Sequence, residues 1–283
     1  MNGKLGSSLW GYGIASILCY FWGNEALAQQ SLQVRTNQWL QVEQVRGGAV
    51  IRNRNGIRQA QFGDRLQDVG DEISTGNDSS VVLRVDTAIG FVQVAENTTL
   101  RIYSLQMASD NGRITQLQIL RGRARLQVRK FTNFGSRLEI FTPTGVSGVR
   151  GTQFAVGVDP RGKTTVATLE GSVLTEAKRQ GVLVGAGQQN FTIPGEPPSP
   201  ATVLNNNPQL YYEVIRNVKG SNRQVWLSGK IDPTHMVTVN GIPQSTDRLG
   251  RFSIPFPATS RIRAEVIVTT ALGNRRVYEI TLL

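Results

Sequence analysis

Residues 141–176 restrict the fold more than any other stretch of this sequence. Glycines stand at Gly145, Gly148 and Gly151, and this spacing permits tight backbone turns that residues with a Cβ resist. Residues 153–158 then alternate apolar side chains with small or polar ones, as a half-buried β-strand requires. The stretch therefore predicts turns followed by extended chain.

A hairpin turn is predicted directly after this strand, at residues 159–163. Asp159 and Pro160 begin the turn and Gly162 permits a positive φ near its end, so residues 164–169 should return as a second strand. Many short strands between turn signals, with little helical periodicity, predict an all-β fold. Similar strand-like runs occur at residues 49–51, 57–62, 80–85, 89–94, 99–103 and 114–120.

Several short motifs, in order along the chain, resemble the FecR domain. They are Gly47-Gly48-Ala49-Val50, Gly63-Asp64-Arg65-Leu66, Gly70-Asp71-Glu72-Ile73-Ser74-Thr75, Glu96-Asn97-Thr98, Thr142-Pro143-Thr144-Gly145, Gly151-Thr152-Gln153-Phe154, Thr168-Leu169-Glu170-Gly171-Ser172-Val173 and Val184-Gly185-Ala186-Gly187-Gln188. The resemblance covers residues 45–193. That domain is known as the extracytoplasmic sensing part of bacterial iron-transport regulators, and it also occurs in envelope proteins without this role. It implies a β-solenoid or β-roll fold and no catalytic residues.

The glycine-rich part of this resemblance is interpreted as structural. It lacks the lysine and hydroxyl pair of a Walker motif and the spacing of G-x-G-x-x-G, and no helix pattern follows it. Arg150 is expected to pair locally rather than to bind a ligand. The structural motif residues are Gly145, Gly148, Arg150, Gly151, Thr152, Glu170 and Gly171.

The N-terminal residues 1–28 are typical of a secretory signal peptide. Lys4 precedes an apolar stretch at residues 9–22, and Ala26-Leu27-Ala28 forms a cleavage site. The sequence thus predicts a periplasmic, secreted or cell-surface protein with no stable membrane span once the signal is removed. Retention of this segment as a membrane anchor is the alternative. Cys19 is the only cysteine, so the mature chain would contain no disulfide.

The net charge of +11 is unevenly distributed along the chain, because residues 113–163 carry ten Lys or Arg residues against two acids, and four of the ten lie in one predicted strand. In residues 121–129 the odd positions are polar and four of them are arginine, whereas Ala124, Leu126 and Val128 should face the core. One interpretation is a site for an anionic glycan, a phospholipid headgroup or an acidic protein face. The other is a solvated edge strand whose charges discourage aggregation. The candidate anion-binding residues are Arg121, Arg123, Arg125, Arg129 and Lys130.

The predicted domain organisation has two β units and two linkers. An N-terminal linker is expected at residues 29–44 and a Pro- and Asn-rich linker at residues 194–221, in which 210–218 could be a strand or a short helix. Residues 222–283 resemble bacterial Ig-like β-sandwich modules, which implies a spacer or adhesive role. The motifs are Gly229-Lys230-Ile231-Asp232-Pro233, Val239-Asn240-Gly241 and Gly250-Arg251-Phe252.

The sequence offers little for catalysis or metal binding. His235 is the only histidine, and the Asp-Pro beside it predicts an exposed loop residue rather than a catalytic base. With one histidine and no cysteine in the mature chain, a zinc site is not expected, nor is any other metal or cofactor. Nucleic acid is disfavoured as a partner because no aromatic residues interleave with the arginines.

These observations favour a secreted, non-enzymatic envelope protein whose FecR-like domain binds a protein or an anionic glycan. The alternative is an extracytoplasmic signalling component that relays the state of a receptor to a separate membrane regulator. A cell-wall hydrolase is the third and least supported class, because it needs two acids brought together in a cleft. The sequence does not specify the oligomeric state.

Overall fold

The computed structural model describes residues 38–85, 90–149, 151–219, 222–257 and 263–282. These residues form strands, turns and loops without a helix, which confirms the predicted all-β class. Within the same ranges, no helix is long and apolar enough to span a membrane. The predicted signal peptide lies outside the described residues.

Seventeen strands occur before residue 204 in the described part of the chain, and we call this part, residues 40–203, the N-terminal unit. They are β1 (Leu40–Arg46), β2 (Ala49–Asn53), β3 (Gly56–Gln59), β4 (Arg65–Leu66), β5 (Glu72–Thr75), β6 (Ser80–Val85), β7 (Gly90–Val94), β8 (Thr99–Met107), β9 (Arg113–Val128), β10 (Arg137–Phe141), β11 (Val146–Val149), β12 (Gln153–Val158), β13 (Thr164–Glu170), β14 (Ser172–Ala177), β15 (Gln180–Gly185), β16 (Gln188–Thr192) and β17 (Thr202–Val203).

The strands of the N-terminal unit form two sheets, and the chain passes between them repeatedly. Sheet I has the order β4-β1-β6-β7-β9-β12-β13-β16-β17. Sheet II has the order β3-β2-β5-β8-β9-β10-β11-β14-β15. Within the described residues, neighbouring strands are antiparallel except β9 and β10, which are parallel.

Strand β9 belongs to both sheets. Its first half, up to Arg121, pairs with β8 and β10 in sheet II, and its second half, from Gly122, pairs with β7 and β12 in sheet I. Gly122 has a φ of +87°, and a Cβ there would lie 2.5 Å from the Cα of Thr98. Only glycine avoids both the strain of a positive φ and the clash of a Cβ with Thr98. Gly122 therefore allows the strand to cross from one sheet to the other.

One hydrophobic core fills the space between the two sheets. Sheet I contributes side chains such as Leu83, Leu126 and Phe154, and sheet II contributes Ile73 and Leu117, all fully buried. They come from alternate positions of their strands, as the two-residue period of a strand requires. Burial of each such side chain contributes about 1.5–3 kcal/mol.

The remaining strands form a second, smaller unit, residues 211–282, which we call the C-terminal unit. Its strands are β18 (Tyr211–Lys219), β19 (Asn222–Lys230), β20 (Met236–Val239), β21 (Ile242–Gln244), β22 (Arg251–Pro257), β23 (Arg263–Thr269) and β24 (Arg275–Thr281). One antiparallel sheet has the order β18-β19-β22 and the other β21-β20-β23-β24. Buried residues of both sheets, including Leu227 and Val266, form one core.

The structure corrects the predicted linkers. The N-terminal linker was expected to extend to residue 44, but β1 already begins at Leu40 and pairs with β6. In the predicted linker 194–221, Thr202–Val203 pairs with β16, and the undecided segment forms β18. Polar and Pro-rich composition marks loops, but strands at the edge of a sheet, such as β17 and β18, also tolerate it.

Two predicted hairpins are confirmed. Strands β12 and β13 pair across residues 159–163, where the amide of Gly162 donates to the carbonyl of Asp159 at 3.0 Å. Strands β20 and β21 pair across Asn240 and Gly241, both with positive φ, which is the geometry of a two-residue hairpin turn.

The glycines of the structural motif differ in how strictly the fold requires them. A Cβ on Gly145 would lie 2.1 Å from the carbonyl oxygen of Glu176, whereas Gly148 faces open space within β11. The prediction that all three spaced glycines permit turns is therefore wrong for Gly148. Gly151 and Gly171 both have positive φ. Thr152 is buried, Glu170 is exposed opposite Gln153, and Arg150 lies outside the described residues.

Candidate ligand-binding cleft

The predicted arginine stripe lies on β9, which is an interior strand. Ala124, Leu126 and Val128 are buried, as the alternation predicted. The interpretation as a solvated edge strand is wrong, because β7 and β12 pair with this half of β9 on its two sides. The arginines therefore do not protect a free edge.

The change of sheet at Gly122 places Arg121 and Arg123 in different sheets. Arg121 belongs to the sheet II half and donates from Nε to the hydroxyl of Thr99 at 3.3 Å. Arg123 belongs to the sheet I half and donates from Nη1 to the carbonyl oxygen of Thr270 in the C-terminal unit at 3.1 Å. A continuous one-sided stripe is thus absent from β9.

The other predicted residues lie away from these two. Arg125 is half-buried opposite Gln93 and Ala155, and Arg129 and Lys130 are exposed just after β9 ends. Arg121 and Arg123 line one cavity, and Arg125, Arg129 and Lys130 do not line it.

Arg121 and Arg123 line a cavity of about 720 Å³ between the N-terminal and C-terminal units, which we call the cleft. The side chains that can carry charge in its lining are Glu96, Arg121, Arg123, Asp159 and Arg161. The N-terminal unit contributes residues 95–97, 120–123, 143 and 158–162, and the C-terminal unit contributes residues 236–238, 243 and 269.

Arg123 is the most buried cation of the cleft. Burial lowers the pKa of its guanidinium, the charge of Glu96 opposes this effect, and the positive charge of Arg275 adds to it. Arg275 itself contacts Glu96, with Nη1 3.5 Å from Oε1. Arg123 therefore joins the two units while Glu96 balances the cations around it.

Arg121 and Arg161 are the cations that remain available to a ligand. Both side chains are exposed, and the guanidinium of Arg161 has no hydrogen-bond or ion-pair partner among the described residues. Its backbone amide is fixed by Asp159 Oδ1 at 2.8 Å and by the hydroxyl of Ser245 at 3.1 Å. A carboxylate or phosphate entering the cleft would meet two guanidinium groups on a fixed backbone.

Lys163 crosses from the N-terminal unit into the C-terminal unit beside the cleft. Its amino group donates to the hydroxyl of Thr246 at 2.5 Å and to the carbonyl of Asp247 at 3.3 Å, and it lies 5.6 Å from the ring centre of Phe191. Burial lowers the pKa of Lys163 to about 8, although Asp159, Asp247 and Asp232 oppose this shift.

A second contact between the units is built on Asp232. Its carboxylate accepts from Gln189 at 3.4 Å and from Asn205 at 2.9 Å. Burial opposes ionisation of Asp232, but hydrogen bonds from Thr234 and Asn205 lower its pKa below the ordinary value. The units are therefore joined by polar contacts on several sides of the cleft.

The predicted exposure of His235 is wrong. The side chain is only 2% exposed, and Nε2 lies 2.9 Å from the carbonyl oxygen of Asn205. The Asp-Pro turn was predicted correctly, but the segment before β18 covers it. Among the described residues, no group of three or more His, Cys, Asp or Glu side chains could hold a metal ion.

Sequence reasoning missed Glu96, Asp159, Arg161 and Lys163 as residues around the cleft. Residues 159–163 gave only a turn signal, because the C-terminal unit that completes the cleft is distant in sequence. The repeated basic residues in that turn, Arg161 and Lys163, were the one available hint.

Three of the solved structures that the chain resembles have the following identity and coverage. Two crystal structures of a candidate anti-sigma factor from Parabacteroides distasonis ATCC 8503 are 16% identical with a TM-score of 0.40, over 47% of this chain and 59% of theirs. The chain thus spans less than two thirds of that protein's length. A polysaccharide lyase is 7% identical with a TM-score of 0.20, over 86% of this chain and 39% of its own. Neither similarity is high enough to indicate a function.

Comparison with protein families gives a specific result. No curated protein matches the chain. The family described as "FecR protein" matches residues 71–174, inside the range 45–193 expected from the sequence motifs. The cleft residues of the N-terminal unit, from Ala95 to Gly162, all lie within this match. Residues 71–174 of the chain thus match the FecR family model.

Proposed function

We propose that this protein is an extracytoplasmic signalling component that receives a ligand or partner protein in the cleft and relays its state to a separate membrane regulator. The observation that carries this proposal is that the FecR match supplies every cleft residue of the N-terminal unit. FecR family proteins are extracytoplasmic. This choice reverses the order of preference reached from the sequence, where a free binding module came first.

The arrangement of the cleft suits a relay. Arg123 lines the cleft and reaches across from the N-terminal unit, so a ligand in the cleft would touch a group that also fixes the second unit. A ligand that binds one arrangement of the two units more tightly than another shifts the population towards it. A membrane regulator that binds only one arrangement of the two units would respond to this shift in population.

A free envelope-binding module is the second candidate. The exposed guanidinium groups of Arg121 and Arg161 favour it, since they could bind an anionic glycan or an acidic protein face without any relay. In both cases the chain acts without catalysis, without a cofactor and without nucleic acid, and cleavage of a signal peptide after Ala28 would deliver it across the membrane.

The proposal also includes two features of the fold, an Ig-like sandwich in the C-terminal unit and a β-roll in the N-terminal unit. For the C-terminal unit, an Ig-like sandwich is supported by the strand orders β18-β19-β22 and β21-β20-β23-β24. Counted from the first strand as A, these correspond to A-B-E against D-C-F-G, which places C beside F and G as in Ig domains. For the N-terminal unit, a β-roll is supported by the repeated passage of the chain between sheets I and II.

Arg121→Gln combined with Arg161→Gln tests the proposed function. We expect this variant of residues 29–283 to lose at least tenfold in its capture of a membrane protein cross-linked from the envelope fraction, because a hydrogen bond to a charged group is worth about 1.5–3 kcal/mol. Arg123 is left unchanged because it joins the two units.

Arg129→Gln is the matched control for this experiment, since Arg129 is exposed but does not line the cleft. It should capture the same protein as the unchanged chain. Equal capture by all three proteins would contradict a role for the cleft. Capture of glycan alone, weakened by the double substitution, would replace the relay with the binding module.

A further inference from the structure

In the C-terminal unit, one face of the sheet β18-β19-β22 points away from the core, and we call it the outer face. Its side chains are regularly arranged. Each strand contributes three side chains that point away from the core, because Leu227 and Gly229, at the positions between them on β19, are buried. The strand registers align them in three rows: Tyr211, Lys230 and Arg251; Glu213, Ser228 and Ser253; Ile215, Trp226 and Pro255.

The first row combines an aromatic ring with two cations. Tyr211 is 63% exposed, and Lys230 and Arg251 are exposed on adjacent strands, about 4.8 Å apart by the usual strand spacing. Neither cation has an ion-pair partner among the described residues. Two neighbouring positive charges repel each other, so an anion bound between them is favoured.

The second row carries groups that hydrogen-bond hydroxyls. Ser228 and Ser253 lie with their hydroxyl oxygens 2.9 Å apart, and Glu213 stands beside them with no partner among the described residues. The carboxylate accepts and the serine hydroxyls both donate and accept. A shallow depression of about 620 Å³ covers this row and the first, and Asp247 also lines it, with its Oδ1 accepting from the backbone amide of Arg251 at 2.8 Å.

The third row is apolar. Ile215 is 48% exposed and Trp226 is half-buried between Ile215 and Pro255. An indole and a phenol ring thus lie at opposite ends of a polar strip, separated by about 13 Å along the strands. Flat aromatic rings with an amphipathic edge suit ligands that have one apolar face and polar rims.

We propose that the outer face binds an acidic polysaccharide. The carboxylate of a uronic acid sits between Lys230 and Arg251, and sugar hydroxyls bond to Glu213, Ser228 and Ser253. The apolar faces of the sugar rings pack on Tyr211 and Trp226. This chemistry needs anion, hydroxyl and apolar contacts in one ligand, and a polymer of uronic acids has all three.

Other occupants fit the outer face less well. A strand added at the edge of β22 would find no amide at Pro255 or Pro257. The outer face also shares no lining residue with the cleft, so this proposal stands or falls independently of the proposed function.

Binding of defined oligosaccharides by residues 29–283 tests the proposal. Calorimetry with oligomers of galacturonate, guluronate and glucuronate should show binding to at least one of them, and neutral dextran oligomers should bind at least tenfold more weakly. Lys230→Gln combined with Arg251→Gln should weaken binding of the acidic oligomer at least tenfold and reduce its dependence on salt. Tyr211→Ala, at a largely exposed position, should weaken it without affecting folding.

Arg263→Gln is the control, because Arg263 is exposed on β23 in the other sheet of this unit. It should bind the acidic oligomer as the unchanged protein does. The proposal is overturned if none of the three acidic oligomers binds, or if the variant at Lys230 and Arg251 binds as tightly as the control. Tight capture of an envelope protein by this face instead would also overturn it.

Discussion

Gly122→Ala is expected to destabilise the N-terminal unit by about 3 kcal/mol or more. A non-glycine residue with positive φ costs roughly 1–2 kcal/mol, and the new Cβ would lie within 2.5 Å of Thr98 Cα, which is main chain and has little freedom to move. Because β9 joins sheets I and II at this position, both sheets should be affected. Urea unfolding of residues 29–283 measures the loss as a lower transition midpoint.

Gly148→Ala is the matched control for this substitution. Gly148 lies inside β11, its φ is not in the left-handed region, and no atom lies within 4 Å of the position that a Cβ would occupy. Because glycine in a strand is disfavoured by roughly 0.5–1 kcal/mol relative to alanine, this change should be neutral or slightly stabilising. A midpoint for Gly122→Ala within error of that for Gly148→Ala would contradict the crossing at Gly122.

The stability of the protein is expected to rise by about 3 kcal/mol between pH 8 and pH 10.5 through Lys163. Burial lowers the pKa of Lys163 in the folded protein to about 8 from the ordinary 10.5. Below pH 8 the side chain is protonated in both states. Between the two values the unfolded chain holds the proton and the folded protein does not, so a higher pH favours folding.

Lys163→Met should abolish this rise, because methionine has no proton to lose. Lys178→Met, at an exposed lysine in the turn after β14, should retain it. Comparing the variants over the same pH range removes the contributions that all three proteins share. Parallel curves for the unchanged protein and Lys163→Met would show that the Lys163 amino group is not buried between the two units.

Local patterns were sufficient to predict the strands and several turns of this fold. Alternating side chains around Leu126 and Phe154 indicated which positions are buried, and the turn at Asn240 and Gly241 followed from its residue types. The pairing of the strands was beyond local reasoning. β1 pairs with β6, and β9 pairs with four other strands, and such distant contacts leave no periodic signal in one sequence.

The cleft was predictable only in part, for a related reason. Alternation correctly placed Ala124 in the core and the arginines on the other side of β9. It could not indicate that the positive φ of Gly122 interrupts the row, nor that Arg123 contacts Thr270. His235 was misjudged for the same cause, since residues from a distant segment cover its turn.

The central proposal is that the cleft between the domain that matches the FecR family and the C-terminal unit receives an extracytoplasmic signal. Transcript profiles of the source organism test it most directly, with the gene deleted and then restored as the unchanged protein, as Arg121→Gln with Arg161→Gln, or as Arg129→Gln. We expect deletion to change a defined set of transcripts, which the unchanged protein and Arg129→Gln restore and the cleft variant does not. Unaltered transcripts after deletion, or full restoration by the cleft variant, would contradict the account.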